Sequence, residues 1–124
     1  MTQLEPATWK VTRDQIRAYA DASGDHNPIH LDDGFARSVG LPGVIAHGML
    51  GMAKLANFVV AYAGDHRRLR RLRCRFSGMV LPGDEITFSG RVAATEPGMV
   101  RLELEASNQK GEKVLTKGLA ELSA

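Results

Sequence analysis

At 124 residues the chain is expected to fold as a single domain over residues 1–124, since a second would need roughly another 100 residues. A hydrophobic content of 44% with 24% charged residues excludes a disordered chain, and a net charge of +2 excludes a partner chosen by bulk charge. The lone cysteine, Cys74, excludes an internal disulfide and fits a reducing, cytoplasmic compartment.

The first twenty residues include Glu5, Pro6, Lys10, Arg13 and Asp14, which leaves no apolar run for a secretory signal. Thr12-Arg13-Asp14-Gln15 reads as a capping box. Ile16, Tyr19 and Ala20 follow at helical spacing, and Ser23-Gly24 ends that helix. The run from Asp25 to His30 is irregular, because Pro28 lacks an amide hydrogen and disfavours a helical Asn27. Asp32 is placed to cap a short helix that stops at Gly40, and Leu41-Pro42-Gly43 makes a turn.

A long apolar helix is predicted from about Ala46 to Ala63. Residues Val44 to Ala63 are apolar apart from His47, Lys54 and Asn57, which invites a membrane reading. A cation near the centre of a span costs several kcal/mol, however, so Lys54 favours a buried core helix. After Gly64 the period falls to two. Leu72, Cys74 and Phe76 alternate with Arg71, Arg73 and Arg75, as on a half-buried strand. Turns at Pro82-Gly83-Asp84, Pro97-Gly98 and Lys110-Gly111-Glu112 separate strands at Ile86 to Ala94, around Leu102 to Ala106, and at Lys113 to Leu122. One apolar helix followed by antiparallel strands is an α+β domain, with a curved sheet wrapped around the helix.

Three stretches carry chemistry. An acid and an imidazole five residues apart on a rigid turn, Asp25 and His30, suit proton transfer at neutral pH and can hold one water between them. The plainer reading is a turn acid and a satisfied histidine. His26 and His30 would make a metal pair on a helix, but off a helix they diverge, and no third ligand stands at a recognisable spacing. Ala46-His47-Gly48-Met49 opens the core helix. There free amides favour developing negative charge, and Gly48 has no side chain to keep a ligand from its N–H. The plainer reading is a helix start that needs room. Six of the sixteen cationic residues lie between Arg67 and Arg75. No aromatic residues interleave with them, so a nucleic-acid surface is not expected. A solvated strand face or an anion-docking edge remains.

SGDHNPIH at residues 23–30, with LDDGFARSVGLPGVIAHGML after it and RFSGMVLPGD ending at Asp84, resembles the MaoC-like (R)-specific enoyl-CoA hydratases. It is similar also to the (3R)-hydroxyacyl-ACP dehydratases of fatty-acid synthesis. The resemblance implies a hot-dog fold, a long helix wrapped by an antiparallel sheet, and a homodimer in which the sheets run together, with a heterodimer as the variant. It puts the catalytic acid on Asp25, the catalytic histidine on His30 and the backbone oxyanion donor on Gly48. It implies that Asn27 steadies the catalytic turn, that Ser23 and Gly24 form it, and that His47 supports the turn at Gly48. The implied reaction is reversible hydration of a trans-2-enoyl thioester to the (3R)-hydroxyacyl thioester. No metal or redox cofactor is required, since coenzyme A or phosphopantetheine enters with the substrate. The carrier's phosphates would favour Arg71, Arg73 and Arg75.

Only eleven residues precede Thr12, where many members carry a longer opening strand, which leaves the N-terminal sheet edge open. A hot-dog thioester hydrolase is the main alternative, but the helix from Ala46 to Ala63 holds no Asp or Glu to serve as its acid. A non-catalytic partner subunit would tend to lose Asp25 or His30, and both are present.

Overall fold

Gln15 joins the first two elements. The computed structural model describes residues 2–124, beginning with strand β1, Ala7–Lys10, and helix α1, Arg13–Ser23. Thr12 Oγ1 accepts the Gln15 N–H at 3.2 Å, and Gln15 Oε1 accepts the Thr12 N–H at 3.2 Å, so both arms of the capping box are made. The same Oε1 accepts the Trp9 indole N–H at 2.8 Å, which fastens β1 to α1. Gly24, at φ +77°, ends α1 in the left-handed region, with its N–H on Ala20 O at 2.9 Å.

Helix α2, Asp33–Ser38, is capped by Asp32, whose carboxylate accepts the Phe35 N–H at 3.1 Å. Helix α3 spans Gly48–Ala63, two residues later than the expected start. Ala46 is withheld from it because its N–H donates to Val80 O at 2.8 Å, and His47, at ψ 137°, is the N-cap. Arg68 Nη1 donates to Ala63 O at 2.8 Å and so caps the far end, where the helix carbonyls lack partners. Among the described residues no helix is long and apolar enough to cross a membrane.

Strands β2 (Leu69–Phe76), β3 (Glu85–Glu96), β4 (Met99–Ser107) and β5 (Lys113–Ser123) complete a five-stranded sheet. Its order is β1-β3-β4-β5-β2, with every neighbouring pair antiparallel. Two strands are longer than their periodicity predicts. β2 begins at Leu69, and β3 reaches Glu96, where Pro97-Gly98 turns it into β4. The N-terminal edge left open by the short opening segment is β1, which pairs with β3 from Ala7↔Phe88 to Lys10↔Glu85. At the opposite edge β2 pairs with β5 alone.

Leu55 and Val59 of α3, each fully buried, form one core with Leu102, Ala120 and Leu122 of the sheet. Burying an aliphatic side chain of this size gains roughly 1.5–3 kcal/mol. The wrapped helix and curved antiparallel sheet make the α+β hot-dog arrangement that the sequence reading expects. Its effect on function is positional. The N-terminus of α3 lies at the end of the core where the 25–30 turn, the entry to α3 and the end of β2 meet.

Candidate active site

The 25–30 turn is built by its own short polar side chains. Ser23 Oγ accepts the Asp25 N–H at 3.1 Å, and Asp25 Oδ1 accepts the Asn27 N–H at 3.2 Å. Asn27 Oδ1 accepts the Ile29 N–H at 3.1 Å, which caps a single 3₁₀ turn at Pro28–His30. Asx and Ser turns of this kind replace secondary structure as the partner of the backbone. The outcome is directional. Asp25 stays exposed while His30 is buried, and His26 turns away to pair with Asp21 at 3.0 Å in solvent.

His30 Nδ1 lies 2.7 Å from Ile45 O. A carbonyl only accepts, so Nδ1 carries the proton and Nε2 is the free ring nitrogen. That nitrogen faces Asp25 Oδ2 at 3.9 Å. The gap is too wide for a direct hydrogen bond. A water oxygen about 2.8 Å from each would see the two atoms at roughly 90°, an easy angle for both its hydrogens.

His47 replaces the small polar residue usual at a helix N-cap, and its side chain makes no cap bond. Its Nε2–H donates instead to Asp25 O at 3.0 Å, and its ring stacks on His30 with centroids 3.7 Å apart and planes at 20°. Tyr19 of α1 packs edge-on against the other side, centroid to centroid 4.9 Å. His47 therefore grips the 25–30 turn rather than the start of α3. Its Nδ1, buried, has no hydrogen-bond partner among the described residues.

Ligand atoms of Asp25, His30 and His47 lie within 4.8 Å of one another, so the fold supplies the third metal ligand that sequence spacing does not. The two rings suit a metal poorly. The rings are stacked 3.7 Å apart in nearly parallel planes, so the lone pairs of their free nitrogens do not converge on one tetrahedral ion.

Gly48, the first residue of α3, is exposed, and its N–H meets no acceptor among the described residues. A Cβ at this position would lie 3.4 Å from the Phe76 ring, so glycine leaves the space beside the amide free beneath that side chain. Beside it a cavity of about 200 Å³ runs between α3 and the sheet, bounded by Trp9, Gly48, Gly51, Phe76, Ile86 and Phe88.

A family model described as a MaoC like domain matches residues 1–114. The chain belongs to the MaoC-like family. It is 40% identical over 101 residues to the fatty acid synthase beta subunit TOXC of Cochliobolus carbonum, covering 79% of this chain and 5% of that protein. It is 37% identical over 106 residues to the fatty acid synthase subunit beta of Saccharomyces cerevisiae, covering 84% of this chain and again 5% of the other. The chain thus spans about a twentieth of these relatives. Among solved structures, the (R)-hydratase PhaJ1 of Pseudomonas aeruginosa, in its unliganded form, matches at a TM-score of 0.87 and 30% identity. That match covers 98% of this chain and 79% of PhaJ1.

In this MaoC-like chain the fold gathers Asp25, His30, His47 and Gly48, with Ser23, Gly24 and Asn27 shaping the turn beneath them. It does not gather the arginines there. Arg68 binds Ser123 O and Ala63 O, and Arg71 pairs with Glu121 at 3.5 Å. Arg73 and Arg75 are exposed, without ion pairs among the described residues. Cys74 faces the core, and burial pushes its thiol up, away from thiolate chemistry. Sequence reasoning missed Tyr19, which helical spacing marks only as apolar, and Trp9, whose four-residue strand is too short to show a period.

Proposed function

We propose that this chain reversibly hydrates trans-2-enoyl thioesters to (3R)-hydroxyacyl thioesters. The observation that carries this reading is the 3.9 Å gap between Asp25 Oδ2 and His30 Nε2, beside a free Gly48 N–H and an apolar cavity. The acyl chain enters the cavity, and the thioester carbonyl accepts the Gly48 N–H, which draws electrons from C3 and stabilises the enolate-like transition state. One such donor is worth about 3–4 kcal/mol.

Water in the gap attacks C3 as Asp25 Oδ2 takes its proton. That proton passes across the gap to Nε2 of His30, whose Nδ1–H stays on Ile45 O, and His30 delivers it to C2, which leaves both groups as they began. Dehydration runs the same steps backwards. No metal or redox cofactor takes part, and the carrier is coenzyme A or acyl carrier protein. Arg73 and Arg75 carry its phosphate docking, with Arg71 a weaker contributor because Glu121 offsets its charge.

The chain acts in the cytoplasm as a homodimer. The outer side of β2, unpaired in the single chain, is the edge that a second sheet would continue.

The test is the wild-type protein with crotonyl-CoA, following loss of enoyl absorbance, free thiol and the configuration of the product. Absorbance loss without thiol, giving the (3R)-hydroxy product, is expected. Thiol release would make the chain a hydrolase and overturn the reading.

A further inference from the structure

Gly51 is a buried glycine that packs against nothing. It lies inside α3, where glycine is among the least favourable residues. Buried helix glycines usually let another backbone or side chain approach closely. Here a Cβ placed on Gly51 would have no heavy atom outside its own helix neighbourhood within 4 Å. The contrast with Gly90 and Gly118 is direct, because a Cβ there would come within 3.0 Å of Leu104. Those two are small because β4 presses on them. Gly51 is small with nothing pressing on it, and the space before it is the cavity beside Gly48.

Gly48 and Gly51 are one turn apart on the same face of α3, the face that looks onto that cavity. The mouth is at Gly48, under Phe76. The far wall is Trp9 and Phe88, both buried and stacked at 6.5 Å. That wall is fastened, since the Trp9 indole N–H is held by Gln15.

We propose that Gly51 sets the length of acyl chain this protein accepts, by leaving open the middle of a cavity whose far end is closed by Trp9 and Phe88. The inference rests on the hydratase reading of the site. A methylene fills about the volume of a water molecule, about 30 Å³, so 200 Å³ holds about six chain carbons. The chain is therefore selective for enoyl groups of medium length, with octenoyl near the limit and dodecenoyl beyond it.

The test compares kcat/KM for crotonyl-, octenoyl- and dodecenoyl-CoA in the wild type, Gly51→Ala and Gly51→Leu, with Tm measured on each. One methylene of lost pocket costs about 10-fold or more in discrimination. The octenoyl-to-crotonyl ratio is expected to fall about 10-fold in Gly51→Ala and about 100-fold in Gly51→Leu. The Tm of Gly51→Ala should rise by about 3–5 °C, because the helix loses a glycine. The alanine variant keeps the test alive if the leucine variant does not fold. An unchanged ratio in Gly51→Ala, or wild-type preference for dodecenoyl over octenoyl, overturns the inference alone. No turnover of any chain by the wild type overturns the reading of the site, and the inference with it.

Discussion

The corner around the N-terminus of α3 and the arginine-bearing strand β2 both carry polar side chains, and they are built in opposite ways. At the corner, side-chain polar atoms are held by the backbone: Asp25 by Asn27 N–H, His30 by Ile45 O, His47 by Asp25 O. Along β2 the charged groups reach into solvent, and those with partners are held by other side chains. Backbone-held groups have their geometry set by the fold and cost little to order at the moment of reaction. Solvated cations keep their rotamer freedom and act at a distance, through a field that salt screens. On the proposed reading, the first kind of region carries the chemistry and the second the docking.

Removing a proton carrier from the corner is the severest way to break this contrast. His30→Gln should lower kcat for an enoyl thioester about 10³-fold with the fold intact, read by steady-state kinetics beside circular dichroism. A fall of less than about tenfold would mean the corner is not where the proton moves.

His47 sharpens the comparison because it acts through another residue. A displacement of about 1 Å at a reacting group can cost about 10²-fold. His47→Ala is therefore expected to lower kcat about 30–100-fold with KM little changed, by freeing the Asp25 carbonyl. His47→Gln, which restores a donor near the Nε2 position, should recover most of that loss. Equal losses in both variants would reduce His47 to packing.

The arginine strand should respond differently. Arg73→Glu is expected to raise KM for the coenzyme A substrate about 3–10-fold with kcat unchanged, and the effect should shrink as salt is added. Arg71→Glu should give a smaller rise, because Glu121 already offsets that charge. A fall in kcat in either variant would erase the division between the two regions.

The smallest effect concerns stability alone. The Val44 N–H and then the Arg13 guanidinium hold the Asp33 carboxyl below its ordinary value of 3.8. A depressed carboxyl stabilises the fold above the unfolded-state value, and that contribution is lost as pH falls through the lower folded-state value. Asp33→Asn should therefore lower Tm at neutral pH. The gap from the wild type should close below about pH 4, as followed by thermal melts across pH. A gap that widens in acid would reverse the sign of this linkage.

What the sequence discloses and what it conceals follow the same division. The capping box at Thr12 and Gln15, the turn residues Ser23 to Asn27 and the alternation of Leu72 and Cys74 with Arg71, Arg73 and Arg75 are local, so spacing alone reveals them; Phe76, expected on the same half-buried face, is exposed instead. The closeness of Asp25 to His30 is legible because one rigid turn carries both. The grip of His47 on residue 25 spans twenty-two positions, and the helix cap made by Arg68 depends on how the chain returns after α3. No periodicity encodes either. A histidine at an N-cap where a small polar residue is favoured was the one local sign that position 47 serves something other than its helix. Likewise, the ion pair of Arg71 depends on β2–β5 register, which a bulge near Leu69 shifts.

On the proposed mechanism, water adds to the enoyl group between Asp25 and His30. The most direct measurement is kcat for crotonyl-CoA hydration in Asp25→Asn, an isosteric change that keeps an oxygen for the Asn27 N–H but removes the proton acceptor facing His30. A loss of about 10³-fold or more with unchanged Tm is expected. Hydration at near wild-type rate in a folded Asp25→Asn protein would contradict the mechanism.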